Sequence, residues 1–288
     1  MGCTNRYGAR ARVISAIIGV CVMLLAANAT GDVGQDFGFD DYARVLGAHV
    51  DEHGMLEYKR LKAHRQGLDT FAGAIAALEP EAYGRWTDDQ KIAFWINAYN
   101  ALTLKAIIDN YPIKASFFKS RLYPKNSIRQ IPGVWDELEF PVIRRQVTLN
   151  QIEHVNLRRN FDEPRIHVAL VCAAMGCPPL RNEPFTGERL DAQLDDQTRR
   201  FLKNAAKFRI DRDAGRVYLS SIFKWFGKDF IESYGTEDKS GGHSDAQRAV
   251  LNFVGKYLDG KDAEYLFTGE YDIIYLDYDW SLNEQAGE

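Results

Sequence analysis

Cys172 and Cys177 are the side chains best suited to chemistry, together with two histidines, His154 and His167. A cysteine nucleophile needs a base within reach and a third group to orient that base. Cys172 is the candidate nucleophile, and His167 or His154 the candidate base. A cysteine opening a turn or helix, as in Cys172-Ala173-Ala174-Met175, has its thiolate favoured by the local backbone dipole. Two bland roles compete with this one. Cys172 could be a small buried hydrophobe, or it could be paired with Cys177 in a local disulfide. Redox exchange by the pair is a further thiol chemistry, although four residues separate the cysteines where thioredoxin-type motifs have two. The set His154, His167, Cys172 and Cys177 is also zinc-compatible by type, but its spacing matches no compact zinc motif, so no metal is expected.

The orienting groups come from two predicted helices. Asn97 and Asn100 are three apart and share a face, so either amide could orient an imidazole, or both could bond neighbouring backbone. Asn150, His154 and Arg158 share a face at four-residue spacing, with Glu153 directed elsewhere. Glu153, Arg158, Asn97 and Asn100 are therefore the candidate binding or orienting residues. No Gly-x-Ser-x-Gly elbow, P-loop or dinucleotide fingerprint occurs, so no cofactor is expected.

The elements that must position these groups are legible in part. Thr87-Asp88-Asp89-Gln90 is a capping box opening a helix that runs to Ile108. Its apolar residues occur on every side, which marks a central, buried helix. Thr148-Leu149-Asn150-Gln151 is a second capping box, starting the His154 helix. Arg165 to Cys172 is apolar and β-branched and reads as a buried strand, which would put His167 and Cys172 on opposite faces. Further helices are expected over 40–54, 68–78, 190–202 and 245–258. Hairpins are expected over 140–147, with Arg144-Arg145 at the turn, and over 208–219. A short strand is expected at 273–275 and a short aromatic helix at 222–226. Trp225, Phe226 and Asp229-Phe230 read as aromatic packing with a cap. The fold class is α+β, a helix-rich single domain with the central helix packed against a small, mainly antiparallel sheet.

Length and composition agree with this. The chain has 288 residues, 45% of them hydrophobic and 26% charged, with a net charge of −4. No long basic run appears, which argues against a nucleic-acid partner. Arg6, Arg10 and Arg12, an apolar Val13 to Leu25 and Ala27-Asn28-Ala29 have the order of a secretory signal peptide over residues 1–29. The apolar stretch is too short to span a bilayer. The expectation is an exported protein, periplasmic or secreted, with one domain over 30–288 and no membrane span after cleavage. Loss of the three arginines takes the charge from −4 to −7. The mature chain keeps only Cys172 and Cys177, in an oxidising compartment. The expected partner is a small molecule or peptide.

Several stretches together resemble a known family: Phe94 to Ala101, Leu149 to His154 with Leu157-Arg158, Ile166 to Leu170 with Cys172, Gly176 to Leu180, and Trp225-Phe226 with Asp229-Phe230. They are similar to the family catalogued as domain of unknown function 547, over a core of residues 40–283. The tail Tyr278 to Asn283 resembles the end of exported bacterial members. The resemblance implies no established activity, and it shifts weight from the cysteines toward Asn97, Asn100, His154, Arg158 and His167 as the shared polar set. Two functions follow as expectations: a thiol-dependent hydrolase or transferase with a Cys/His pocket, or a non-catalytic binding domain with a structural Cys172–Cys177 disulfide.

Overall fold

Thr87 opens the element on which the fold is built. In the computed structural model, which describes residues 37–236 and 242–286, its hydroxyl accepts from the Gln90 N–H, and the Gln90 side chain accepts from the Thr87 N–H. The signal-peptide residues and most of the polar 237–243 loop lie outside the described residues. The helix that follows, α5 (Asp88–Asn110), buries almost every residue from Ile92 to Ile108. Four helices precede it: α1 (Asp40–His49), α2 (Tyr58–Ala63), α3 (Gln66–Ala77) and α4 (Pro80–Gly84). α2 and α3 pack on α5, and α1 packs on α3.

After α5 the chain runs through short helical turns to a two-stranded antiparallel hairpin, β1 (Glu139–Val142) and β2 (Arg145–Thr148). Ile143 and Arg144 make the turn with φ of 49° and 58°, one residue earlier than the expected Arg144-Arg145. Positive φ at both central positions matches the twist of a two-residue hairpin. Thr148 then closes the second capping box and starts α6 (Leu149–Gln151). From Ile152 to Leu157 the helix widens to a π-helical turn, in which the Arg158 N–H bonds the Glu153 carbonyl at 3.0 Å. Such turns recur at functional sites because they re-aim side chains without ending the helix.

The expected strand over 165–172 is not a strand. Pro164 to Val168 is a 3₁₀ turn. Pro164 fixes the first helical φ, and the Glu163 carboxylate accepts the Arg165 N–H at 3.0 Å. These two local signals override the β-branched composition, which in a short buried run cannot by itself separate helix from strand. Irregular chain then carries both cysteines to α7 (Leu190–Lys203).

The last third builds a three-stranded sheet. β3 (Phe208–Asp211) pairs antiparallel with β4 (Arg216–Ser220), and β4 pairs parallel with β5 (Asp272–Leu276). Between β4 and β5 lie α8 (Ser221–Phe226), α9 (Ile231–Tyr234), α10 (Asp245–Gly255) and α11 (Gly260–Thr268). The architecture is a single-domain α+β fold with two apolar clusters. One gathers around α5 and includes the hairpin residues Phe140, Val142 and Val147. The other gathers between the three-stranded sheet and α10. The small hairpin thus joins the cluster of the central helix by packing on α3, while the larger sheet serves the second cluster.

Asn97 and Asn100 tie the irregular chain to α5. Asn100 donates to the Ala169 carbonyl at 3.0 Å and accepts from the Val171 N–H at 2.8 Å. Asn97 does the same to both backbone groups of Phe185, at 2.7 and 3.0 Å. Buried segments without ladder partners need such side-chain substitutes. Asn100→Ala strands a buried N–H and a buried carbonyl, so it should cost roughly 2–4 kcal/mol in urea unfolding. Asn110→Ala, which loses one bond within its own helix, should cost under about 1 kcal/mol.

Candidate functional site

A cleft of about 190 Å³ is lined by residues from all parts of this arrangement. Tyr99 comes from α5, Arg129 and Trp135 from the segment before the hairpin, and Glu153 from the π-helical turn. His167, Cys172 and Cys177 come from the irregular chain, Trp225 and Phe226 from α8, and Tyr278 and Trp280 from the tail. His167 and Cys172 therefore line the same cavity, because the 3₁₀ turn removes the strand geometry that would have separated them.

Cys172 and Cys177 form a disulfide, so neither carries a thiol in this state. Cys172 is half-buried at the cleft, whereas Cys177 is 4% exposed. The turn between them holds Ala173 at φ 59°, a conformation uncommon outside glycine. The Cys172 N–H donates to Cys177 Sγ at 2.9 Å. The Tyr278 hydroxyl lies 3.1 Å from Cys172 Sγ and 3.0 Å from Cys177 Sγ. Disulfide sulfurs have no proton, so the tyrosine is the donor to both. Burial first, then the neighbouring Glu153 and Asp279, raises the Tyr278 pKa far above its ordinary value and keeps that proton in place. Gly176 admits the ring: a Cβ there would sit 2.7 Å from Tyr278 carbons. The tail is strapped down by Met175 N–H to Ser281 and Gly176 N–H to Asp279, both 2.7 Å.

His167 is engaged elsewhere. Its Nε2 meets Asp229 Oδ2 at 2.8 Å, and its ring stacks on Phe226 with centroids 4.1 Å apart. Arg158 closes on the same carboxylate with two bonds, Nε to Oδ2 at 2.6 Å and Nη2 to Oδ1 at 2.9 Å. Burial opposes ionisation of Asp229, but the hydrogen bonds from His167 and Arg158 outweigh it and hold the carboxyl well below its usual range. Desolvation lowers the His167 pKa against the pull of Asp229, with Arg158 and His154 adding to the lowering. The ring is therefore neutral at neutral pH. Since an ionised carboxylate only accepts, Nε2 carries the proton and Nδ1 the lone pair. His154 accepts from Arg158 Nη1 at Nδ1, 2.7 Å away; burial first, then Arg158, lowers its pKa too. On its other side this network borders a polar groove of about 360 Å³ that includes Lys228 and Glu232.

Of the predicted site residues, Glu153, His167, Cys172 and Cys177 converge on the cleft. His154 and Arg158 join through Asp229 and His167. Asn97 and Asn100 do not line it; their amides are spent on backbone. Sequence reasoning missed Asp229, which it read as a cap. It lies 62 residues from His167 and 71 from Arg158, so spacing held no signal, and only a lone carboxylate next to aromatic residues hinted at it. It also missed Arg129, Trp135 and Trp280. Among the described residues, no group of three or more histidine, cysteine or carboxylate side chains gathers as a metal site.

Glu153 is the carboxyl side chain that lines the cleft. Burial raises its pKa from 4.5 to about 7, opposed by Arg158 and a Tyr99 hydrogen bond and reinforced by Asp229. A raised folded pKa means that the fold holds this proton more tightly than the unfolded chain. Its effect on stability is nil below about pH 4, and the penalty grows through pH 4.5 to 7 and is complete above. Wild-type stability relative to Glu153→Gln should therefore fall by up to ~3 kcal/mol between pH 4 and pH 8. Urea unfolding of both proteins at the two pH values checks this.

Comparison with known proteins adds a family. The model of the family described as "Protein of unknown function, DUF547" matches residues 83–202. That stretch holds Tyr99, Glu153, His154, Arg158, His167 and both cysteines, and it ends before Asp229 and the aromatic tail. No curated protein and no solved structure matches the chain. No helix among the described residues is long and apolar enough to cross a membrane. Residues 83–202 of this chain are thus similar to a family whose function is unknown.

Proposed function

We propose that the cleft is a thiol–disulfide exchange site, with Cys172 the sulfur attacked and Cys177 the leaving sulfur. The observation that carries this reading is the asymmetry of the pair. Both sulfurs line the cleft and both receive the Tyr278 O–H, but Cys172 is the more exposed, while Cys177 is 4% exposed and alone receives the Cys172 N–H. A substrate thiolate attacks Cys172 Sγ, forming a mixed disulfide as the Cys172–Cys177 bond breaks and its electron pair leaves on Cys177 Sγ. Two donors already aimed at that sulfur meet the developing charge without reorganisation. A second substrate thiolate then attacks the substrate sulfur of the mixed disulfide, which releases a substrate disulfide and the Cys172 thiolate. A disulfide of the same class re-oxidises the pair by the reverse steps. Glu153, in the same cleft with a pKa of about 7, is suited to take or return a proton at neutral pH. The aromatic walls fit the thiol-bearing end of a small molecule or peptide.

The acyl-transfer reading is less well supported. It needs a Cys172 thiol against an imidazole. Cys172 Sγ has Cys177 and Tyr278 as partners, and both histidines spend a nitrogen on Arg158 or Asp229. The non-catalytic reading keeps the disulfide as a clamp and assigns the aromatic cleft to ligand binding alone.

Exposing the folded protein to mixtures of reduced and oxidised glutathione, then alkylating and peptide-mapping, separates these readings. Exchange predicts that the 172–177 pair equilibrates under native conditions and that Cys177→Ser accumulates a mixed disulfide at Cys172. Tyr278→Phe should slow reduction about tenfold, the worth of one charge-assisted hydrogen bond. A pair that stays oxidised until the fold is denatured would refute exchange and leave the binding domain.

A further inference from the structure

Phe117, Phe118 and Leu122 are 73%, 78% and 78% exposed, the three most exposed large apolar side chains among the described residues. They fall within six residues of one another. Solitary exposed apolar residues need no explanation, but three bulky ones at one loop tip do. The tip is also charged. Lys114, Lys119, Arg121 and Lys125 surround it, and no acidic residue occurs from 110 to 135 in a chain whose net charge is −4. None of these four cations makes an ion pair with a described residue.

The tip is a built structure. Gln130, itself 2% exposed, accepts the Ser116 N–H at 2.9 Å and donates to the carbonyls of Tyr123 and Pro124 at 3.3 and 3.0 Å. Ser120 bonds the Ser116 carbonyl through both its N–H and its hydroxyl, at 2.9 and 2.6 Å. Phe117 and Phe118 meet edge to face at 5.4 Å, and Arg121 lies over the Phe117 ring. The chain therefore holds its apolar side chains outward instead of folding them under.

We propose that this loop is a membrane-surface contact, taking an anionic lipid bilayer as its partner. Aromatic and leucine side chains that project from a cationic loop can enter the headgroup boundary while the lysine and arginine heads stay among the phosphates. Charge complementarity argues for lipid over a protein groove: the patch is uniformly basic on an acidic chain, and each basic residue adds affinity for anionic headgroups. The contact rests on the loop alone and does not depend on chemistry in the cleft. The two are nevertheless neighbours, because Tyr123 at the loop's end meets Trp280 of the cleft wall at 6.1 Å.

Flotation of the whole chain with vesicles of phosphatidylcholine, with and without phosphatidylglycerol, tests the proposal. Wild type should partition to the phosphatidylglycerol vesicles and be released as salt rises. Phe117→Asp/Phe118→Asp should lower that partition about tenfold or more, and the quadruple change of Lys114, Lys119, Arg121 and Lys125 to Gln should abolish the preference for anionic lipid. These positions are exposed, and a circular-dichroism melt matching wild type confirms that the variants fold. Equal flotation of wild type and variants overturns the proposal. So does a result in which the variants change only self-association on a sizing column, which would make the patch a protein interface.

Discussion

The carboxylate of Asp229 is the group on which the two halves of the molecule agree. It lies on the turn that follows α8, among residues of the second apolar cluster, and it is gripped by Arg158 and His167 from segments that pack against α5. The carboxylate is half-buried, and even partial removal from water is costly for a charge unless it is paired. Here a bidentate guanidinium and a neutral imidazole N–H satisfy it, and Phe226 stacks on the imidazole and lies beneath the guanidinium. The network fixes the His167 tautomer, engages His154, and anchors the wall of the cleft that carries Phe226. Removing the carboxylate would leave a cation without its partner and a histidine without its orienting acceptor.

That division of labour explains why the cysteines and histidines, neighbours in sequence, act separately. Histidine near cysteine suggests a nucleophile with its base, but the imidazole here is already committed to a carboxylate. The disulfide has a different set of partners: a tyrosine held protonated by burial, and the backbone N–H of Cys172. Behind His167 and Phe226 of the cleft wall lies an ionic side, where Arg158 and Asp229 hold their charges, and the cleft itself is a neutral side, lined by Tyr278, the sulfurs and Glu153. Glu153 is the hinge between them. Its pKa of about 7 results from burial partly offset by Arg158, so its charge is set by the balance of the two sides.

Local signals in the sequence transferred well. The capping boxes at Thr87 and Thr148 start helices where expected, and α5 is buried on all sides, as its apolar residues require. The 208–219 hairpin and the 273–275 strand were legible for the same reason: the information sits within a few residues. α2 and α11 were not foreseen, since six and nine residues of mixed character give little periodicity. The 165–172 segment failed because composition pointed one way and Pro164 with its Glu163 cap pointed the other. The site failed at Asp229 and the tail for another reason. Those contacts join residues separated by 62 to 106 positions, and no spacing rule reaches that far. Asn97 and Asn100 were singled out correctly as buried amides on one face, but which of their two readings held depended on where the Phe185 and Ala169 backbones lay.

The segment between α5 and the hairpin looks unstructured in sequence, yet it joins two features of the surface. At one end it holds a basic, aromatic tip in the open. At the other, Arg129 stacks its guanidinium over Tyr123 at 4.5 Å and Trp280 at 4.7 Å, closing one wall of the cleft. An arginine so placed has little freedom to leave, because its partners come from both the loop and the tail. The tail is in turn strapped to the cysteine turn through Met175 and Gly176. A continuous series of contacts thus runs from the loop's end at Tyr123 to Trp280, from Trp280 to Tyr278 at 4.5 Å, and from the Tyr278 hydroxyl to both sulfurs.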